Sequence, residues 1–177
     1  MCQPLITYKN AEIEYKDKII LAIDIMLYNV LMILKIYTDG GSKGNPGPSS
    51  IGGVFYLDQK KVFDFKKSIG IATNNDAEYR ALIEALVNIK NQRSKIKTID
   101  QISRLRQNFG GLAKIELYSD SRLMVNQVKG LFKVKNGRIR EYILRIRGLE
   151  QEIKIPISYH LVPREENQEA DKLVNSI

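Results

Sequence analysis

Apolar runs broken by turn-forming residues dominate the first half of the chain and predict β-strands. Such runs occupy residues 33–38, 51–57 and 61–68. Glycine, asparagine and proline fill residues 44–48 between the first two runs, a composition typical of turns. Only three residues separate the second run from the third, so we expect these two strands to form a hairpin. The Gly52-Gly53 pair predicts a β-bulge in that hairpin.

Helical spacing of apolar residues dominates the rest of the chain. Segments with this spacing run from about residue 75 to 89, then over 95–108, 121–129, 138–153 and 167–177. Two apolar runs between them, 115–119 and 155–162, predict the fourth and fifth strands. Pro156, near the start of the fifth run, suits a strand at the edge of a sheet. The pattern therefore predicts an α/β fold.

Chain length and charge limit the number of domains and the kind of partner. A chain of 177 residues, 44% of them hydrophobic, can form one α/β domain with a substantial core, whereas two domains would be cramped. The net charge of +8 favours a polyanionic partner, with a basic surface that only aids solubility as the alternative. Residues 1–31 carry three lysines against four acidic residues, so the positive charge belongs to residues 32–177. We expect 1–31 to be an extension of unknown role, either an added arm or the product of a start upstream of Met32.

The single cysteine and one apolar stretch bear on where the protein is located. Cys2 has no second cysteine to pair with, so we expect no disulfide and a reducing, cytoplasmic setting. The apolar stretch 19–34 contains Asp24 and Asn29 and merges with the first strand. Without the strand residues, about a dozen apolar residues remain, whereas a bilayer span takes about 20. We therefore predict a soluble protein.

Four acidic residues occupy distinctive local settings. Asp39 and Asp120 each follow an apolar strand run, whereas Glu78 and Asp171 lie in predicted helices. Carboxylates that a fold brings together repel each other unless a cation neutralises them. For a cluster with only oxygen ligands, the hard divalent ions Mg²⁺ and Mn²⁺ are the simplest choice. The four acids therefore indicate metal-assisted chemistry on phosphate.

The segments around these acids resemble the signature segments of type 1 ribonuclease H. They are DGGSKGNPG, TNNDAEY, YSDSRL and VPREENQEAD, in the family's order and with plausible spacing. The resemblance covers about four fifths of the chain and makes residues 32–177 the catalytic domain. It implies a ribonuclease H-like fold, a mixed five-stranded sheet in the order 3-2-1-4-5 with the first three strands antiparallel and helices on both faces. It also implies hydrolysis of the RNA strand of RNA/DNA hybrids.

The resemblance implies separate roles for the four acids in a two-metal-ion mechanism. Two Mg²⁺ ions about 4 Å apart activate a water and stabilise the leaving 3′ oxygen, which yields 5′-phosphate and 3′-hydroxyl ends. By resemblance, Asp39 contacts both ions and Asp171 helps to hold the ion that activates water. Glu78 and Asp120 hold the ion at the leaving group. Mn²⁺ could replace Mg²⁺.

The resemblance further implies contacts to both strands of a hybrid. Four residues match positions that contact RNA sugars, where the 2′-hydroxyl distinguishes RNA from DNA: Ser42, Gly44, Asn45 and Asn75. Gly44 lets the backbone approach the sugar closely. Thr73, with Asn45, matches a pocket that binds a phosphate of the DNA strand. The alternative for these residues is that they only form the turn.

Two departures from the family pattern affect specificity and turnover. Arg122 stands where relatives often carry a glutamine, and arginine can bind a phosphate but cannot accept a hydrogen bond from a 2′-hydroxyl. Many relatives carry a histidine on a loop before the fourth acid, whereas His160 lies inside the fifth strand run, where we expect it to pack. Arg164 is the candidate that assists turnover instead, with a salt bridge to Glu165 or Glu169 as the alternative.

Basic residues also occur outside the motifs. A short basic strip could contact the DNA strand; it comprises Lys129, Lys133, Lys135 and Arg138. The predicted helix 95–108 carries four basic residues and is either a phosphate-contacting helix or a solvated surface helix. Only six residues follow Asp171, so the last helix is expected to be short and prone to fraying.

Together these residues predict a Mg²⁺-dependent endoribonuclease that removes RNA hybridised to DNA and acts as a monomer. The first alternative is a nuclease of the same fold that also cuts double-stranded RNA, which Arg122 would permit. The second is a non-catalytic module that binds hybrids or RNA. The four intact acids argue against such a module, because carboxylates repel phosphate. A DNA-acting relative such as a transposase core is disfavoured by the glycine-rich turn.

Overall fold

The computed structural model describes residues 33–57, 59–91 and 114–177. The strands are β1 (Ile33–Ser42), β2 (Gly47–Leu57), β3 (Lys60–Ala72), β4 (Lys114–Ser119) and β5 (Ile157–Leu161). The helices are α1 (Asn74–Asn91), α2 (Arg122–Val128), α3 (Gly137–Ile153) and α4 (Gln168–Asn175), with a 3-10 turn at Arg164–Glu166 before α4. None of these four helices is long and apolar enough to cross a membrane. The predicted extension 1–31 and the predicted helix 95–108 lie outside the described residues.

All five strands form one mixed sheet in the order β3-β2-β1-β4-β5. β2 pairs antiparallel with β1 and β3, whereas β4 runs parallel to both β1 and β5. The predicted fold class is confirmed, and β5 is an edge strand, as Pro156 indicated. Because β1 and β4 are parallel neighbours, their carboxyl ends lie at the same edge of the sheet. Asp39 in β1 and Asp120 directly after β4 are therefore brought side by side.

The glycine-rich turn is shorter than the sequence predicts. β1 continues through Ser42 and β2 begins at Gly47, so Pro48 belongs to a strand and not to the turn. Proline is tolerated near the start of a strand, where its missing N–H disturbs the ladder least. The Pro48 carbonyl accepts a hydrogen bond from the Lys43 amide at 2.8 Å, which closes the turn.

The predicted bulge at Gly52-Gly53 is wrong. The register of the β2–β3 pairing shifts elsewhere, between Ser49 and Ser50 and between Phe55 and Tyr56. The two glycines instead make room for packing on opposite faces of β2. A Cβ on Gly52 would lie 2.9 Å from the Leu173 Cβ in α4, and one on Gly53 would lie 2.5 Å from the Phe65 ring. Glycine thus serves close packing here, and not a break in the ladder.

Helices cover both faces of the sheet. On one face, α1 and α3 enclose a core that includes the fully buried Ile36 and Leu86. On the other face, α4 packs against β1 and β2. Successive strand residues point to opposite faces, and two glycines of β1 show both contacts. A Cβ on Gly40 would meet the backbone of α1, whereas one on Gly41 would lie 3.0 Å from the Val174 side chain of α4.

The C-terminal helix α4 is short, as predicted, and polar contacts join its end to the sheet. The Ser50 hydroxyl in β2 donates a hydrogen bond to the Val174 carbonyl at 2.8 Å. The Lys43 ammonium donates to a backbone oxygen of Ile177 at 2.9 Å. These contacts on both sides of the glycine-rich turn help to hold α4, whose first turn carries Asp171, against the sheet.

Candidate active site

Three of the four predicted acids converge at the carboxyl edge of the sheet. Asp39 lies in β1, Asp120 follows β4, and Glu78 lies near the start of α1. One carboxylate oxygen of each lies within 4.8 Å of the others. Three carboxylates at this separation form an all-oxygen donor set of the kind that binds hard divalent cations.

Gly40 permits the close approach that brings Glu78 to this edge. A Cβ at position 40 would lie 2.2 Å from the backbone carbonyl carbon of Ala77 and 2.5 Å from the backbone nitrogen of Glu78. Contacts that short do not occur between real atoms, so α1 can lie against β1 only where position 40 lacks a side chain. The glycine after Asp39 therefore belongs to the site, although its place in the motif indicates only a turn.

The clustered acids raise one another's pKa. Burial, followed by the charges of Asp120 and Asp171, raises the pKa of Asp39 to about 6, against the opposing charge of Arg164. Burial, followed by the charges of Asp39 and Asp120, raises the pKa of Glu78 well above its usual value. Glu78 Oε2 is buried and has no hydrogen-bond partner among the described residues. The residues therefore fit a divalent cation, which would satisfy this oxygen and neutralise the repulsion.

The fourth acid, Asp171, borders the same cavity but is paired differently. The cavity measures about 330 Å³ and all four acids line it. The Asp171 carboxylate accepts hydrogen bonds from Arg164 Nη2 at 2.8 Å and from Asn175 Nδ2 at 3.0 Å. Arg164 therefore pairs with the fourth acid, and in residues 114–177 it forms no ion pair with Glu165 or Glu169. The pairing places a guanidinium at the rim of the acidic cavity.

Hydrogen bonds join the glycine-rich turn to the start of α1. The Ser42 amide donates to Asn74 Oδ1 at 2.8 Å, and the Asn74 amide donates to Asn45 Oδ1 at 3.1 Å. Gly44 has a φ of +107°, a conformation that favours glycine. Asn74 and Ser42 border the acidic cavity, whereas the predicted Asn75 does not. The sequence motif did not distinguish Asn74 from Asn75. The structure does, because α1 begins at Asn74 and only Asn74 of the two borders the acidic cavity.

A second cavity, of about 640 Å³, lies beside the start of α1. Its lining includes three predicted substrate residues and part of the basic strip: Asn45, Thr73, Asn75, Lys133, Lys135 and Arg138. The Thr73 hydroxyl donates to the Asp76 carboxylate at 2.7 Å and accepts from the Asp76 amide at 3.1 Å, so Thr73 caps α1. Although burial opposes it, hydrogen bonding from Thr73 and the charge of Arg138 lower the pKa of Asp76. Exposed basic side chains beside a helix start suit a bound phosphate.

Two other predicted residues lie outside the lining of the acidic cavity. Arg122 begins α2 and is exposed. His160 lies in β5, where its ring stacks on Tyr118 with centroids 5.0 Å apart and its Nε2 is 2.9 Å from Ser158 Oγ. His160 thus occupies a strand, as expected from its apolar neighbours.

Comparison with protein families matches the model of RNase H to residues 32–177. The chain belongs to the RNase H family. The match covers all four motif segments, and it confirms the resemblance that those segments indicated.

Known RNase H proteins resemble this chain in sequence and in structure. A bifunctional protein of Mycobacterium tuberculosis is 36% identical over 146 residues, which make up 81% of this chain and 35% of that protein. The chain therefore spans about a third of the length of this relative. Ribonuclease HI of Halobacterium salinarum is 36% identical over 140 residues, 78% of this chain and 61% of that protein. The solved structure of LC11-RNase H1, isolated from compost, superposes with a TM-score of 0.68 at 36% identity, covering 81% of this chain and 93% of that one.

Besides Asn74, two asparagines at the site of this RNase H protein were not predicted. Asn175 donates to Asp171, and Asn167 Nδ2 lies 3.0 Å from Asp120 Oδ1. Each stands four residues from Asp171, about one helical turn before and after it, and that spacing was the available signal. Amides are common at helix ends, so the spacing alone does not mark them as parts of a site.

Proposed function

We propose that this RNase H family protein is a metal-dependent endoribonuclease that hydrolyses the RNA strand of RNA/DNA hybrids, with residues 32–177 as its catalytic domain. The cluster of Asp39, Glu78 and Asp120 within 4.8 Å carries the proposal. Three carboxylates this close weaken the binding of phosphate by themselves, whereas a hydrolase uses them to hold cations. A structure of LC11-RNase H1 in complex with an RNA/DNA hybrid, at 34% identity and a TM-score of 0.64, supports this choice of substrate.

The four acids would hold two Mg²⁺ ions, and Mn²⁺ could replace them. When bound, the ions supply an activated water and stabilise the leaving 3′ oxygen, which gives 5′-phosphate and 3′-hydroxyl ends. Asp39 would be the ligand common to both ions. Besides burial, the negative charges of both Asp120 and Asp171 raise its pKa, which indicates that both carboxylates lie near it. Glu78 contributes a buried oxygen that has no partner in the described part of the chain. Arg164 adds a positive charge at the rim, where the scissile phosphate would approach.

The two cavities suit the two strands of a hybrid. Ser42 borders the acidic cavity, and Gly44 and Asn45 lie in the adjoining glycine-rich turn, so we place the RNA strand here. Asn45, Thr73, Asn75 and part of the basic strip line the second cavity, where we place a phosphate of the DNA strand. This arrangement also gives a role to the positive charge of residues 32–177.

A nuclease that also cuts double-stranded RNA is the second candidate function. Arg122, exposed at the start of α2, favours it. A guanidinium there can bind a phosphate of either kind of second strand, but it cannot read a 2′-hydroxyl by accepting a hydrogen bond.

Cleavage of labelled duplexes tests the proposed function. RNA/DNA, RNA/RNA and DNA/DNA duplexes of one sequence are incubated with Mg²⁺, Mn²⁺ or EDTA, and the product ends are mapped. We expect cleavage of the RNA strand of the hybrid with either metal, no cleavage in EDTA and an intact DNA/DNA duplex. Cleavage of RNA/RNA at a comparable rate would support the second candidate. Binding of the hybrid without cleavage would instead support a non-catalytic module.

The Arg164→Ala variant is expected to lower kcat on the hybrid by about 10- to 100-fold, because it removes the positive charge at the rim of the acidic cavity. His160→Ala should change kcat by less than about threefold, because His160 packs in β5. Steady-state kinetics of the two variants show whether Arg164 or His160 assists turnover. Arg145→Ala, which removes an exposed arginine of α3, is the control for loss of charge. A large loss confined to His160→Ala would overturn this assignment.

A further inference from the structure

Asn167 lies where three elements of the acidic site meet. It directly precedes α4 and only 1% of its surface is exposed. Its Nδ2 donates hydrogen bonds to Asp120 Oδ1 at 3.0 Å and to the Thr38 backbone carbonyl at 3.1 Å. Its own backbone carbonyl accepts a hydrogen bond from the Asp171 amide at 3.1 Å. One residue therefore contacts the Asp120 carboxylate, the backbone next to Asp39 and the backbone of Asp171.

The two partners of Asn167 Nδ2 determine the orientation of its amide group. A backbone carbonyl and an ionised carboxylate accept hydrogen bonds and cannot donate them. The amide nitrogen must therefore face Thr38 and Asp120. Asn167 Oδ1 is buried and has no hydrogen-bond partner within residues 33–57, 59–91 and 114–177. The two hydrogen bonds that Nδ2 donates therefore determine the orientation of the Asn167 side chain.

These contacts link Asp120, which lies outside the strands and helices, to Thr38 in the neighbouring strand β1. Asp120 itself follows the last residue of β4 and precedes α2, so it belongs to neither element. Thr38 belongs to β1, the central strand of the sheet. Asn167 thus connects both the Asp120 carboxylate and the first turn of α4 to β1 by hydrogen bonds. With Oδ1 held in this way, Oδ2 of Asp120 remains available to a cation.

We propose that Asn167 is a positioning residue that holds the Asp120 carboxylate and the start of α4 in the geometry in which the acids bind metal. The inference rests on the proposed function, because it assigns Asn167 a role in the same metal-dependent site. Asn167 acts through Asp120 and not on the substrate. Hydrogen-bond partners of metal ligands typically change metal affinity or activity by about 10- to 100-fold when they are removed.

Three variants and two kinds of measurement test this role. Asn167→Leu keeps the approximate size of the side chain but has no hydrogen-bond donor and adds no charge beside the acids. Asn167→Ala removes the side chain beyond Cβ. Asn88→Ala is the matched control, because Asn88 Nδ2 also donates to a backbone carbonyl, that of Glu84 at 2.9 Å, without contacting the acids. Mg²⁺ and Mn²⁺ affinities are measured by calorimetry without substrate, and kcat and KM are measured on a labelled hybrid.

We expect both Asn167 variants to lose about 10- to 100-fold in metal affinity and in kcat, with KM for the hybrid changed by less than about threefold. Asn88→Ala should keep both values within about twofold. The melting temperature of each variant is measured first, and only variants that are folded at the assay temperature are compared. A merely structural role would lower the melting temperature of Asn167→Leu and leave its metal affinity and kcat at the wild-type values, which would overturn the proposal.

One further variant covers the case in which the first two do not fold. Asn167→Ser keeps a single donor, so it should show an intermediate loss of metal affinity, and an unchanged affinity would overturn the proposal. Failure of the wild-type protein itself to bind Mg²⁺ or to cleave the hybrid would contradict the proposed function. That result is distinguishable from failure of the present inference, which requires an active wild type beside unaffected Asn167 variants.

Discussion

The Asp39→Asn variant is expected to cleave an RNA/DNA hybrid about a thousandfold more slowly than the wild-type protein, or slower still. A carboxylate oxygen of Asp39 lies within 4.8 Å of those of Glu78 and Asp120, and the pKa of Asp39 is raised by burial and by the charges of Asp120 and Asp171. Asparagine keeps the size of the side chain but removes the charge that a shared metal ligand must supply. A thousandfold loss corresponds to about 4 kcal/mol of transition-state stabilisation. Single-turnover cleavage at saturating Mg²⁺ measures it.

Asp64→Asn is the matched control for this loss of an aspartate. Asp64 lies on β3, is exposed, and pairs with Lys61 at 2.7 Å, away from the acidic cavity. Its removal should leave the cleavage rate within about twofold of wild type, since exposed ion pairs contribute little. Equal rates for Asp39→Asn and the wild-type protein would refute the metal mechanism.

The same Asp39→Asn substitution is expected to stabilise the metal-free protein at neutral pH. The folded protein holds a proton on Asp39 with a pKa of about 6, against an ordinary value of 3.8. The stability linked to this group is therefore fully present below pH 3.8 and is lost as the pH rises through 6. The difference between a pKa of 3.8 and one of about 6 corresponds to at most about 3 kcal/mol in the free energy of unfolding.

Melting curves in EDTA between pH 4 and pH 8 test this stabilisation. The variant should melt several degrees above the wild-type protein at pH 7.5, and the difference should shrink as the pH falls towards 4. A difference that does not depend on pH would show that repulsion among the acids is not its cause.

The Gly40→Ala variant is expected to show the largest loss of stability, a decrease of about 3 kcal/mol or more in the free energy of unfolding. The added Cβ would lie 2.2 Å from the Ala77 carbonyl carbon and 2.5 Å from the Glu78 nitrogen. Both are backbone atoms, so no change of rotamer relieves the clash, and α1 must move away from β1. That movement carries Glu78 away from Asp39, and we expect cleavage to fall as well. Urea denaturation and hybrid cleavage measure the two effects.

Gly148→Ala is the control of the opposite sign. Gly148 lies inside α3, and a Cβ there would meet no atom within 4 Å. Alanine in a helix interior is favoured over glycine by about 1 kcal/mol, so this variant should be more stable than wild type and equally active. If Gly40→Ala matched the wild-type protein in both assays, the close approach of α1 to β1 would not position Glu78.

The location of the strands and helices was predictable because it depends on local pattern. The hairpin of β2 and β3 and the helix stripe of α3 follow from residues that are near in sequence. The interpretation of Gly52-Gly53 failed, because a glycine pair is compatible with both a bulge and close packing, and only Leu173 and Phe65 distinguish the two. The alternative that Arg164 pairs with Glu165 or Glu169 was also wrong. Proximity in sequence favoured those two residues, whereas in the fold Arg164 pairs with Asp171.

The sequence by itself determined which chemistry is available: four acids in motif settings, an all-oxygen donor set, an α/β pattern and a positive charge confined to residues 32–177. Only the tertiary structure decided how that chemistry is arranged. It brings Asp39, Glu78 and Asp120 within 4.8 Å, leaves Asp171 paired with Arg164, and recruits Asn74 and Asn167, which no motif singled out. The physical reason is that the spacing of apolar residues along the sequence indicates the secondary structure of a single helix or strand. Distances and pKa values in a site depend instead on how elements pack against each other, here on the close contact between α1 and β1 at Gly40.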